Sequence, residues 1–179
     1  MSSLTPPILL VDGYNIIGAW SELKSLRDRD LESARYRLVD LMINYTASKG
    51  YQTQVVFDAH FQATPKVRET PTDYLSVYYT AFGETADTYI EKFCAQNSRQ
   101  GKMVQQYLIV ATSDRAQQLT VSGYGAQWRS AEQLAHDLTL SKRKTKTKQR
   151  SRQKTQGRFL FNALDPKAQK QLSKLRHGL

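Results

Sequence analysis

Apolar residues gather in short runs, separated by longer stretches in which they recur every three or four positions. That alternation predicts strands and helices wound around a mostly parallel sheet. Ile8 to Asp12 (ILLVD) is the first buried strand in this reading. From Arg29 to Lys49, Leu31, Ala34, Leu38, Leu41, Met42 and Tyr45 recur at helical spacing, and Gly50 follows as a stop. Gln54 to Asp58, Leu75 to Thr80 and Tyr107 to Thr112 are rich in β-branched or aromatic residues and predict three further strands. Thr85 to Arg99 is predicted helical. A short helix over Asp114 to Val121, a turn at Ser122 to Gly125, a short strand over Ala126 to Arg129 and a helix near Ser130 to Leu140 complete the body. His60 to Asp73 (HFQATPKVRETPTD) is too polar and too proline-marked for a buried element, and predicts a long surface loop.

Beyond residue 141 the pattern changes. Residues 142–158 (KRKTKTKQRSRQKTQGR) hold no apolar side chain and cannot bury enough surface to offset the entropy of ordering, so a flexible basic segment is expected. Asp165-Pro166 then opens a final basic helix with Ala168, Leu172 and Leu175 on one face. The expected organisation is a folded domain over 1–141, the basic segment over 142–158, and a docking segment over 159–179.

Charge follows the same division. Residues 1–141 carry 13 Lys and Arg against 15 Asp and Glu, whereas 142–179 carry 13 against one, so the net charge of +10 sits at the end of the chain. A near-neutral body with a basic tail points to a polyanion, and to nucleic acid ahead of a membrane surface, because no apolar stripe accompanies the densest charge. A solubilising tail is the plainer alternative. Cys94 is the only cysteine, which rules out a disulfide framework and a zinc cluster built on cysteine pairs. No run approaches the length of a bilayer span and the first residues lack the features of a signal peptide, so a soluble cytoplasmic protein is expected.

Three predicted strands run directly into an aspartate: Asp12, Asp58 and, just past the fourth strand, Asp114. In a parallel sheet the carboxyl ends of the strands share one edge, where active sites of open α/β folds are built, so these sequence-distant acids should converge. At helical spacing Glu84, Asp87 and Glu91 fall at i, i+3 and i+7 and form one acidic stripe that starts at the helix N-terminus. Clustered carboxylates repel one another unless a cation or a shared proton intervenes, and an all-oxygen donor set favours hard ions such as Mg2+ or Mn2+. Each acid also has a local explanation. Asp114 could cap a helix with Gln117 as its capping-box partner, Asp87 could answer the positive end of its own helix, and Asp58 could bond the following loop.

The chain resembles the YacP-like NYN domains of the PIN-like nuclease superfamily. The resemblance rests on Val11-Asp12-Gly13-Tyr14-Asn15-Ile16-Ile17, Val56-Phe57-Asp58-Ala59, Gly83-Glu84-Thr85-Ala86-Asp87 and Val110-Ala111-Thr112-Ser113-Asp114, which stand in the family's order, and on the closing Leu164-Asp165-Pro166 segment. It implies a three-layer α/β/α fold and a metal-dependent ribonuclease. One branch of the family acts on messenger RNA at the ribosome. Carried over by motif, Asp12, Asp87 and Asp114 are the implied metal-binding acids, Asn15 orients a water, phosphate or carboxylate, and Asp58 and Glu84 support them. The basic insertion over 142–154 is longer than the family pattern.

For RNA contact the candidates are Lys66 and Arg68 in the predicted loop, where Phe61 could stack on a base, and Lys142, Arg143, Lys144, Lys146, Lys148, Arg150, Arg152 and Lys154 in the tail. His60, His136 and His177 show no ligand spacing, Trp20 and Trp128 are expected to pack, and Cys94 lies on an apolar helix face. Two competing functions keep the same fold: a non-catalytic RNA- or ribosome-binding module, and a DNA-directed flap-type nuclease.

Overall fold

A computed structural model describes residues 5–59, 67–100 and 106–143. The chain divides into two compact units, Met1–Thr139 and Leu140–Leu179, and the second is described only over 140–143. The predicted segment 144–158 and the closing helix therefore lie outside the described residues, as do Lys66, Phe61, His60 and His177. Among the described residues no helix is long and apolar enough to cross a membrane.

The strands are β1 (Ile8–Asp12), β2 (Gln52–Phe57), β3 (Val67–Thr72), β4 (Leu75–Tyr79), β5 (Leu108–Ala111) and β6 (Gln127–Arg129). They form one sheet in the order β3-β4-β2-β1-β5-β6, and every pairing is parallel except β3 with β4. The helices are α1 (Gly13–Ala19), α2 (Ser21–Arg27), α3 (Leu31–Lys49), α4 (Ala86–Arg99), α5 (Arg115–Gly123) and α6 (131–143).

Strand alternation sends side chains to two separate cores, which makes the fold three-layered. Leu9, Val11, Val55, Phe57, Ile109 and Ala111 face a core completed by Ile16 and Ile17 of α1, Leu23 of α2, Leu38 and Met42 of α3, and Ala131, Leu134 and Leu138 of α6. Leu10, Val56, Leu108 and Val110 face the opposite core, with Ala86, Ile90 and Cys94 of α4 and Val121 of α5. The expected apolar stripe on α3 is present, and its ends are set by Asp30, which accepts from the Glu32 and Ser33 amides, and by Gly50 at φ 66°. Ser130 and Gln133 cap α6 reciprocally, each side chain accepting from the other's amide at 3.2 and 3.0 Å.

Two expectations need correction. The segment expected to be loop contains β3, whose residues are all exposed except the half-buried Thr72. An edge strand against solvent needs no apolar alternation, and Pro71 is tolerated there because it falls within the register shift between Glu69 and Thr72. No element was expected between Asp12 and Arg29, where the chain instead forms α1 and α2. Gly13 is required for close approach: a Cβ there would lie 2.2 Å from Cε1 of Phe57. Gly13→Ala is expected to destabilise the fold by roughly 1 to 3 kcal/mol through overpacking, read as a lower urea midpoint. An unchanged midpoint would show that the Phe57 ring moves aside freely.

Trp20 packs as expected, its Nε1 donating to the Ala131 carbonyl at 2.8 Å. Cys94 is buried, and burial pushes its thiol up to about 12, an inert state.

Candidate metal centre at the carboxyl edge

β1 lies between β2 and β5, so Asp12 at its end is flanked by the ends of the other two strands. Asp12 shares the side of the sheet taken by Leu10, the side covered by α4 and α5. It is 7% exposed, and it caps α1 by accepting from the Asn15 amide at 3.1 Å. Asn15 in turn accepts the Ser113 amide at 2.6 Å, and Ser113 Oγ accepts the Ala131 amide at 3.1 Å. Thus the Asn15 side chain fastens the exit of β1 to the exit of β5, a carboxylate-positioning role fixed by backbone.

Asp58 follows β2 and accepts the Ala86 amide, which opens α4. That bond places the N-terminus of α4 over the carboxyl edge, and with it Asp87 in the helix's first turn. The Asp12 and Asp87 carboxyls lie side by side, each acting on the other's proton affinity. Two carboxyls so placed favour holding one proton between them. Burial pushes Asp12 up to about 7; the Asn15 amide opposes this, and the neighbouring charges of Asp87 and Asp58 add to it. Asp87 is raised as well, first by partial burial and then by the charges of Asp114 and Asp58, against the bonds from Asp12 and Gln117.

Asp114 stands past β5 and caps α5, accepting from the Ala116 amide at 2.7 Å and the Gln117 amide at 3.1 Å. The capping box expected with Gln117 does not close. Asp114's own amide donates to Thr112 Oγ1 at 3.1 Å, and Gln117 sends its Nε2 to Asp87 Oδ1 at 2.5 Å. Gln117 is 2% exposed and its Oε1 is buried with no hydrogen-bond partner. This residue was missed as part of the site. The available signal was a polar side chain on the buried stripe of α5, four positions before Val121.

The acidic stripe expected over Glu84, Asp87 and Glu91 is broken, because α4 begins only at Ala86 behind the Thr85 cap. Glu84 precedes the helix, and its Oε1 accepts from Lys92 Nζ at 2.9 Å. Arg68 is exposed on β3, and Lys142 and Arg143 are exposed in the last turn of α6. Trp128 is 39% exposed on β6.

No three of the described acidic, His or Cys side chains are arranged to hold a metal ion. The donor chemistry nevertheless fits a hard cation: the cluster is all oxygen, two of its carboxyls stand side by side with raised proton affinity, and the buried Gln117 Oε1 beside them has no donor.

Similarity to known proteins agrees with this geometry. The family model described as "YacP-like NYN domain" matches residues 9–177. The YacP protein of Bacillus subtilis (strain 168) is 35% identical over 173 residues, spanning 96% of this chain and 97% of its own length. The crystal structure of Rae1 (YacP) from Bacillus subtilis superposes with a TM-score of 0.68 at 34% identity, covering 96% of this chain and 95% of that one. A single-residue mutant of the same protein gives 0.65 at 31% identity, with 94% and 99% covered. NYN domains are nuclease domains of the PIN-like superfamily, so the fold and the acidic edge lead to one assignment: this chain belongs to the YacP-like NYN domain family.

Proposed function

We propose that this protein is a metal-dependent endoribonuclease acting on RNA, with messenger RNA as its substrate and the ribosome as a place of action. The observation that carries the reading is the convergence of Asp12 and Asp87 at the carboxyl edge, under the charges of Asp58 and Asp114 and with Gln117 Nε2 bonded to Asp87. Asp12, Asp87 and Asp114 would hold Mg2+ or Mn2+, with Asp58 and Glu84 in support. A bound cation of this type would supply a water of lowered pKa and positive charge against the phosphate oxygens.

The chain's own residues do the positioning. Asn15 holds the Asp12 carboxyl in place through the α1 cap and the Ser113 amide. Gln117 fixes the rotamer of Asp87 and leaves an acceptor beside it. Without a cation, burial keeps Asp12 about half protonated at pH 7; a bound cation would displace that proton and leave Asp12 an anionic ligand. The basic run from Lys142 to Lys154, together with Lys66 and Arg68, would hold the phosphate backbone by charge.

Digestion of matched RNA and DNA oligonucleotides tests this. RNA should be cut with Mg2+ or Mn2+ and left intact in EDTA, with DNA cut far more slowly. Full activity in EDTA, metal contamination excluded, would sink the mechanism, and equal cutting of DNA would replace RNA as substrate. Binding without cleavage under every metal would leave an RNA-binding module.

A further inference from the structure

The geometry points to a guanine-base site in the groove between α3 and the β3–β4 hairpin, which would hold one base of the RNA strand being cut. The inference rests on the reading of the protein as a ribonuclease and adds a preference for what it cuts. The groove encloses about 280 Å³ and is lined by Glu32, Arg35, Tyr36, Val39, Glu69 and Tyr79 among others. That is just under the ~300–1,000 Å³ of pockets for drug-sized ligands, so it suits one flat ring system better than a larger molecule.

Its chemistry selects the ring. One guanidinium and two carboxylates line it, so a phosphate placed there would face net negative charge. Arg35 lies with Cζ 5.3, 5.9 and 6.0 Å from the ring centres of Tyr14, Phe57 and Tyr79, and its Nη2 donates to the Tyr14 hydroxyl. Its Nε–H is buried and has no acceptor. A small turn of the guanidinium toward the groove would give that donor the O6 and N7 acceptors of guanine, the usual partners of arginine on a base edge. Adenine offers an amine where O6 would be. The Tyr36 hydroxyl already donates to Glu32 at 3.2 Å, and Glu69 acts electrostatically on both Tyr36 and Tyr79. A carboxylate in that position accepts the N1–H and N2–H donors of guanine, which no other common base presents together. Tyr36, 67% exposed, gives a ring on which the base can stack.

Arg35 links the groove to the acids, since its guanidinium lies over the rings of Tyr14 and Phe57. Tyr14 stands two residues after Asp12 and feels the charge of Asp58, and Phe57 immediately precedes Asp58. The groove lies on the α3 side of the sheet and the acids on the α4 side, with the carboxyl edge between them. A strand anchored by a base in the groove would cross that edge and pass the acids.

The test is equilibrium binding in EDTA, where nothing is cut, of the full-length protein to short labelled RNAs identical except for one central G, A or inosine. The G strand should bind about tenfold tighter than the A strand, with inosine, which lacks the 2-amino group, between them. Arg35→Gln and Glu69→Gln should each bring the G-to-A ratio toward one. Should Arg35→Gln fail to fold, Glu69→Gln, on an exposed edge strand, carries the test alone. A wild-type ratio of one, or a ratio that survives Glu69→Gln, overturns the inference. Free GMP displacing the G strand at equal concentration would also overturn it, assigning the groove to a free nucleotide. Failure to cut RNA with Mg2+ would sink the ribonuclease reading while leaving this ratio intact. Normal cutting without a guanine preference would sink only the groove.

Discussion

Asp87→Asn is expected to lower RNA cleavage by at least about a hundredfold while leaving the metal-free protein as stable as wild type or slightly more stable. The loss follows from removing one of the anionic oxygens that would hold the cation, a contribution on the order of several kcal/mol to the transition state. The stability outcome follows from local geometry. Asparagine mimics a protonated Asp87, and its oxygen can still accept from Gln117 Nε2. Removing the charge also relieves repulsion from Asp58 and Asp114, worth under ~1 kcal/mol because Asp87 remains open to solvent. If Asp87 served only its helix's positive end, the variant would melt lower and still cut RNA. Thermal melts in EDTA and in Mg2+, beside a cleavage assay, separate the two. The wild type should also gain more stability from Mg2+ than the variant does.

The metal-free wild type is expected to lose stability as the pH rises from about 4 to about 7. Burial, first of all, raises the Asp12 carboxyl in the folded state from 3.8 to about 7. Between those values the folded protein binds a proton that the unfolded chain has released, so stability falls with rising pH and levels off above 7. A shift of that size corresponds to a few kcal/mol, on the order of 4. Asp12→Asn should flatten the profile and be the more stable protein at pH 7.5, because asparagine caps a helix about as well as aspartate. Urea unfolding in EDTA at pH 5, 6 and 7.5 reads this directly. Parallel slopes for the two proteins would remove Asp12 as the titrating group.

Much of the site could be read from the chain because strand ends are local features. Asp12, Asp58 and Asp114 each close an apolar run, and a parallel sheet then requires that they share an edge. Asp87 was less legible by physics alone, since its place depends on the Asp58 bond to Ala86, a contact made across 28 positions. Glu84 misled because helical spacing was counted through residues that precede the cap. The helices α1 and α2 escaped notice because each has only seven residues, and Ile16-Ile17 continues the apolar look of β1. Arg35 looks like any solvated cation on a helix, and only the folded chain shows three aromatic rings beneath it.

The strand that the polarity of 67–72 concealed also limits how this protein can meet others. Among the described residues, β3 ends the sheet with Arg68, Glu69 and Pro71, and its register against β4 shifts between Glu69 and Thr72, while β6 ends the other side with three residues. Charge, a missing donor and an irregular register all discourage another strand from adding to that margin, and a three-residue margin offers little to pair with. Strand-addition partnerships and sheet-to-sheet aggregation are therefore disfavoured at both margins. Association with a large partner would use side chains on the helices and not the backbone ladder.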